Sequence, residues 1–158
     1  MIRPPSGVMK INVDAALSKN TRRAAVVAIA RDGEGTFLGA SALVLEGLSE
    51  AEVAEALACR EGLALSNDDL GLQTVRVATD CANAARSIQG VGFGSYGPII
   101  LEIKRRMESF ARVDFVHEGR QSNFDAHQLA KSSVSLDFGR HLWLISPPFG
   151  VCNIIGDQ

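Results

Sequence analysis

The chain reads as one mixed α/β domain: an antiparallel three-stranded meander followed by strands joined through helices. Three observations predict this. The first 45 residues hold three apolar strand-like runs with a turn signal, Asp32-Gly33-Glu34-Gly35, between the second and third. From Ser49 onward the pattern changes to helical segments that alternate with short β-rich runs. Helical connections between strands imply parallel pairing, and right-handed crossovers set the later strands beside the first.

Each element follows from local chemistry. Pro4-Pro5-Ser6-Gly7 is a breaker cluster, so residues 1–8 are expected as an extended lead-in. Lys10–Asp14 alternates, with Ile11 and Val13 on one face and Asn12 and Asp14 on the other, a strand with a carboxylate at its end. Arg23–Arg31 and Thr36–Leu45 complete the meander. Ser49 and Glu52 have capping-box spacing, and the alanine-rich run to Ser66 predicts a helix. Thr74–Thr79 is a strand ending at Asp80. Helices are expected over Cys81–Gln89 and Pro98–Phe110, with Pro98 tolerated in the first turn. Between them, residues 90–97 hold four glycines and no basic residue, a loop. Arg112–His117 is the last strand and Ser122–Leu136 the last helix, with Asp125 in its first turn and spaced to pair with Ser122. Residues 9–136 form the expected domain, and 137–158 form a tail to which the pattern assigns no element.

Composition excludes several classes. With 158 residues and 46% hydrophobic content, the chain is long enough for a single core; a domain of this size buries roughly 70% of its unfolded surface. No apolar run approaches the roughly 20 residues of a bilayer span. The amino terminus has no secretory h-region, and three widely spaced cysteines with no C-x-x-C pair predict reduced thiols in an intracellular protein, nuclear or cytoplasmic. A net charge of −2 argues against strong nonspecific nucleic-acid binding, which draws on many Lys/Arg contacts to phosphate.

The chemistry lies in the acids. Ligands of such sheets sit beyond the carboxyl ends of the parallel strands, where Asp14 and Asp80 both fall. Glu55 shares a helix face with Ala58, Cys59 and Gly62, small residues that allow close packing on the sheet. A glutamate on a packing face needs ionised partners or a cation. Three converging carboxylates without a cation would raise one another's pKa values. Oxygen donors without thiolates suit Mg²⁺ or Mn²⁺, and the matching chemistry is phosphodiester hydrolysis with two ions. Glu52 reads as a helix cap and Glu61 as solvated.

In this order, the motifs resemble the type 1 ribonuclease H domain. They are Pro4-Pro5-Ser6-Gly7 with Lys10-Ile11-Asn12-Val13-Asp14-Ala15, then Glu55 to Leu63, then Thr79-Asp80, then His117 with Asn123-Phe124-Asp125-Ala126-His127-Gln128-Leu129-Ala130. More narrowly, they are similar to the version common in plant non-LTR retroelement reverse transcriptases. The resemblance implies a five-stranded mixed sheet of order 3-2-1-4-5 flanked by helices. It implies metal ligands at Asp14, Glu55 and Asp80, with Glu55 rather than Glu52 chosen because Leu63 follows it by eight residues. His117, six residues before Asn123, matches a loop histidine that assists proton transfer or product release.

The chain departs from that pattern at three points. The fourth acid falls on His127, which can still ligate a metal or handle a proton. The usual glycine after the first acid is Ala15, and the glycine-rich loop lacks a basic grip. The implied function is hydrolysis of the RNA strand of RNA/DNA hybrids with two Mg²⁺ or Mn²⁺ ions. Asn12, Ser41 and Asn83 are candidate groove contacts, and a monomer with no membrane association is expected. The alternative is a weakened or inactive descendant of the fold that binds nucleic acid or protein. An exonuclease of the same fold would want an acid two residues after Asp14, where Ala16 stands.

Overall fold

The computed structural model describes residues 2–90 and 97–155. Its strands are β1 (Met9–Ser18), β2 (Arg23–Arg31), β3 (Phe37–Glu46), β4 (Thr74–Thr79), β5 (Arg112–His117) and β6 (Gly139–Trp143). Its helices are α1 (Ala51–Leu63), α2 (Ala82–Ile88), α3 (Gly97–Met107) and α4 (Phe124–Ser133). The strands form one six-stranded sheet of order β5-β4-β1-β2-β3-β6. β1, β2 and β3 are an antiparallel meander, while β4 pairs parallel to both β1 and β5. The mixed sheet with flanking helices is the expected class, but it has a sixth strand. The glycine-rich loop expected over 90–97 lies mostly outside the described residues.

β2 explains the Ala/Val-rich run. Every residue from Ala24 to Ala30 is buried because both faces of the sheet are covered. Ile11, Val13, Val26, Ala28 and Val77 pack against α1 on one side. Val27, Ile29, Ala40 and Ala42 pack against Ala126, Leu129 and Ala130 of α4 on the other. Gly62 sets the approach of α1: a Cβ there would lie 2.8 Å from Val13 Cγ1 and 3.3 Å from Ile11 Cγ2. The helix that carries Glu55 therefore lies directly on the strand that carries Asp14.

The extra strand comes from the tail. β6 pairs antiparallel with β3, Ser41 opposite Leu142 and Leu43 opposite Arg140. A bridge from Thr36 to Ile154 and a bond from the Phe37 N–H to the Asn153 carbonyl (2.7 Å) fasten the segment beyond it. Arg140 reaches across the sheet edge to Glu61 (2.7 Å) and Asp69. Glu61, expected in solvent, is instead buried and also accepts a bond from Ser41 Oγ at 2.9 Å. Its cation, Arg140, comes from a strand without a periodic signature, so the α1 pattern alone could not show its burial.

Helix boundaries also shift. Glu50 rather than Ser49 is the N-cap of α1, with no side-chain cap bond, so the expected capping box does not form. Glu52 instead accepts a bond from Asn83 Nδ2 at 2.8 Å. α1 continues as a π-helical turn over Ala64–Asp69, and α4 ends at Ser133 instead of Leu136. Asp125 does not pair with Ser122. It accepts from Arg31 Nη2 (2.7 Å) and from the Cys152 N–H (3.3 Å). A buried guanidinium needs a counter-charge, and that need outweighs local capping.

Candidate active site

The sheet geometry delivers two acids to one edge. β1 and β4 run parallel with Asn12 opposite Ala78, and two residues further along each strand come Asp14 and Asp80. α1 lies across these strands and supplies Glu55. One carboxylate oxygen from each of Asp14, Glu55 and Asp80 lies within 4.8 Å of the others. Asp14 is 3% exposed, and Glu55 Oε2 is buried without a hydrogen-bond partner among the described residues.

This arrangement is electrostatically costly as it stands. Burial and the neighbouring charge of Asp14 push the Glu55 carboxyl up to about 9. Burial, and then the charge of Asp80, raises Asp14 as well. An orphaned carboxylate oxygen inside a set of hard oxygen donors is the pattern that a hard divalent cation satisfies. Cys59, beside Glu55, is fully buried and its thiol is pushed upward by burial, so no thiolate joins the set. The residues present therefore fit a Mg²⁺- or Mn²⁺-type site.

The fourth candidate ligand, His127, stands on α4 with Nδ1 3.0 Å from Asp14 Oδ2. With Asp14 ionised, Nδ1 is the donor of this bond. The start of α4 is held by Asn123, which donates from Nδ2 to the Val13 carbonyl (2.8 Å) and accepts from Asn12 Nδ2 (2.9 Å). Asn123 thus anchors α4 to the residue before Asp14. The motif contains Asn123, but its positioning role emerges only from these contacts.

His117 ends β5 opposite Thr79, one residue short of Asp80, and is exposed. Asn83 lies exposed in the first turn of α2. Two candidate groove contacts need correction. Ser41 is completely buried and bonds Glu61, and Asn12 is spent on Asn123 and the Ser122 carbonyl, so neither faces a groove. Both are polar residues on strands that look half-exposed by alternation, yet helices or the tail cover both faces. Arg120, which the motifs did not single out, lies on the short 3₁₀ turn before α4 with Nε 3.7 Å from Asp80 Oδ2.

Sheet order, crossover helices and an acid cluster drawn from within β1, from α1 and from the end of β4 define a protein of the RNase H fold. Solved structures agree on that fold. RNase H1 of Halobacterium salinarum superposes with a TM-score of 0.73 at 19% identity, covering 81% of this chain and 97% of its own. The amino-terminal RNase H domain of a Mycobacterium tuberculosis protein gives 0.71 at 21% identity, covering 80% and 92%. LC11-RNase H1 in complex with an RNA/DNA hybrid gives 0.68 at 24%, covering 80% and 96%. The chain belongs to the reverse transcriptase-like family, whose sequence model matches residues 12–133. No curated protein matches it. None of the described helices is long and apolar enough to cross a membrane.

Proposed function

We propose that this chain is a ribonuclease H that cuts the RNA strand of RNA/DNA hybrids with two Mg²⁺ or Mn²⁺ ions. It would act as a monomer inside the cell, with residues 9–136 as the nuclease unit and its origin in a plant retroelement. One observation carries the reading: a carboxylate oxygen from each of Asp14, Glu55 and Asp80 lies within 4.8 Å of the others, and Glu55 holds a buried oxygen with no hydrogen-bond partner among the described residues.

Asp14, Glu55 and Asp80, with His127 beside them, would hold the ions. Bound divalent ions supply water activation and stabilise the leaving oxygen of an in-line displacement. The chain's own residues do the rest. Asp14, gripped by His127 and carried on the central strand, keeps its orientation. His117 stands on the loop side, where a histidine can hand a proton to the departing 3′-oxygen. Discrimination for RNA would come from 2′-hydroxyl contacts across a wide, shallow minor groove, with Asn83 as the exposed candidate.

The test is a labelled hybrid incubated with Mg²⁺ or Mn²⁺, with Asp14→Asn as control. Cleavage by the wild type alone supports the reading, and absence of cleavage in both metals removes it. A second reading, a binding module without catalysis, is favoured by His127, which stands 3.0 Å from Asp14 Oδ2 at the position where the motif would have a fourth acid. Hybrid binding without cleavage would assign it.

A further inference from the structure

β1 carries a row of polar residues beneath α4. Lys10, Asn12 and Asp14 recur at every second position, so they share one face of the strand. Each takes its partner from the stretch between β5 and the middle of α4. Lys10 Nζ donates to Glu118 Oε2 at 2.6 Å, Asn12 Nδ2 donates to Asn123 Oδ1 at 2.9 Å, and Asp14 Oδ2 meets His127 Nδ1 at 3.0 Å. The second and third contacts seat α4 beside the acid cluster. The first lies at the other end of the row and has no part in the cluster.

Lys10 is fully buried and the Glu118 side chain is 9% exposed. The same ammonium donates to the Ile2 carbonyl at 2.7 Å, so the lead-in closes over it. An ion pair this deep stabilises a fold no better than an apolar pair of the same volume, because desolvating both charges offsets their attraction. What it fixes is position: an ammonium and a carboxylate shut away from water must stay together. The consequence falls on His117. The Glu118 N–H donates to the Thr79 carbonyl at 2.9 Å, and the Ser122 N–H closes onto the Gly119 carbonyl at 3.1 Å before Asn123 locks onto Asn12 and Val13. His117 is exposed, and no hydrogen bond holds its ring among the described residues. The backbone of Glu118 therefore sets where that ring can reach.

We infer that the Lys10–Glu118 ion pair is a positioning device for His117, holding the turn after β5 so that the imidazole stays at the edge where the RNA strand is cut. The inference rests on the nuclease reading above, in which His117 hands a proton to the departing 3′-oxygen. Neither Lys10 nor Glu118 touches substrate or exchanges a proton. Both act through the histidine. The effect is measurable, because a general acid contributes about 10²–10⁴ in rate and about 1 Å of misplacement costs on the order of a hundredfold.

The test measures kcat and KM of the full chain on an RNA/DNA hybrid with Mg²⁺, together with Tm and Mn²⁺ calorimetry. Lys10→Met combined with Glu118→Leu removes both charges and keeps an apolar contact, so Tm and Mn²⁺ affinity should hold. Its kcat should fall about tenfold with KM unchanged, the scale of a small displacement of the acid. Adding His117→Ala should bring kcat no lower than His117→Ala alone, because both changes act on one imidazole. Glu118→Gln keeps the shape but not the charge. It should show the same coupling at smaller size, and it carries the test if the double change does not fold. With an active wild type, four results overturn the assignment and leave the nuclease reading standing. They are an unchanged kcat, a change in KM alone, a fall that multiplies with that of His117→Ala, and a fall that tracks Tm or Mn²⁺ affinity. His117→Ala without effect would do the same. An inactive wild type removes both readings together.

Discussion

His127 Nδ1 sits 3.0 Å from Asp14 Oδ2, joining the last helix to the central strand at the point where the acid cluster is most buried. A histidine there does two things that an acid would not. It supplies a donor to Asp14, and it withholds a fourth negative charge from a site that already holds three carboxylates.

Replacing His127 by Asp should therefore separate folding from metal binding. Without a cation, the added carboxylate beside Asp14 repels and Tm should fall by a few degrees, about what 1 kcal/mol gives in a chain of this length. With Mn²⁺ or Mg²⁺ the same change should tighten binding and preserve or raise turnover. Melting curves with and without metal, and calorimetry, check both signs. Loss of activity with the fold retained would give His127 an acid–base role instead.

The Glu55 carboxyl sets a pH dependence whose sign is fixed by its upward shift. Below about 4.5 the group is protonated whether the chain is folded or not. As pH rises, the unfolded chain gains by ionising it while the folded chain holds the proton, so metal-free stability declines up to about 9. Divalent ions must displace that proton, so their affinity should climb across the same window. Glu55→Gln should raise the metal-free Tm at pH 8 and abolish metal binding. A metal-free Tm independent of pH over this range would contradict the raised Glu55 carboxyl.

Gly62→Ala tests the seat of α1. The added methyl would meet Val13 Cγ1 at 2.8 Å, so the helix must lift or the valine must turn. Overpacking of this kind costs about 1–3 kcal/mol, against a helix-propensity gain of about 1 kcal/mol. Net destabilisation in urea is expected, and weaker Mn²⁺ binding with it, because Glu55 rides on the same helix.

Arg140→Ala removes a partner of buried Glu61 and of Asp69. Leaving a buried carboxylate without its cation costs about 3–5 kcal/mol, somewhat less here because Arg140 is partly exposed. The double change Arg140→Ala with Glu61→Gln should recover much of that loss, as a double-mutant cycle in urea would show. Additive losses would mean that the pair is not coupled.

Glu52→Gln should leave metal affinity unchanged, since Glu52 lies exposed and its carboxylate accepts a bond from Asn83. Calorimetry with Mn²⁺ checks this, and a marked loss would point to the wrong glutamate on α1.

Local pattern was sufficient to place nine of the elements. Alternation around Ile11 and Val13, the alanine-rich run through Glu55 and the Thr74–Thr79 strand each carry their own period, and helical crossovers leave few ways to order the sheet. Asp80 was legible because it follows the end of β4; Asp14 was expected to end its strand, but β1 continues past it to Ser18, and the acid meets Asp80 because the parallel partner β4 stops there. What the chain could not announce locally is pairing between distant side chains. β6 has no period of its own and exists because β3 presents an open edge. Glu61 is buried because Arg140 arrives from 79 positions away. Ser41 and Asn12 turn inward because the sheet is covered on both faces, and Arg120 reaches Asp80 through a turn rooted on two strands. Sequence periodicity reports which face of an element is apolar. Only packing in three dimensions decides which charges meet, because burial turns a pairing worth little in water into one the fold depends on.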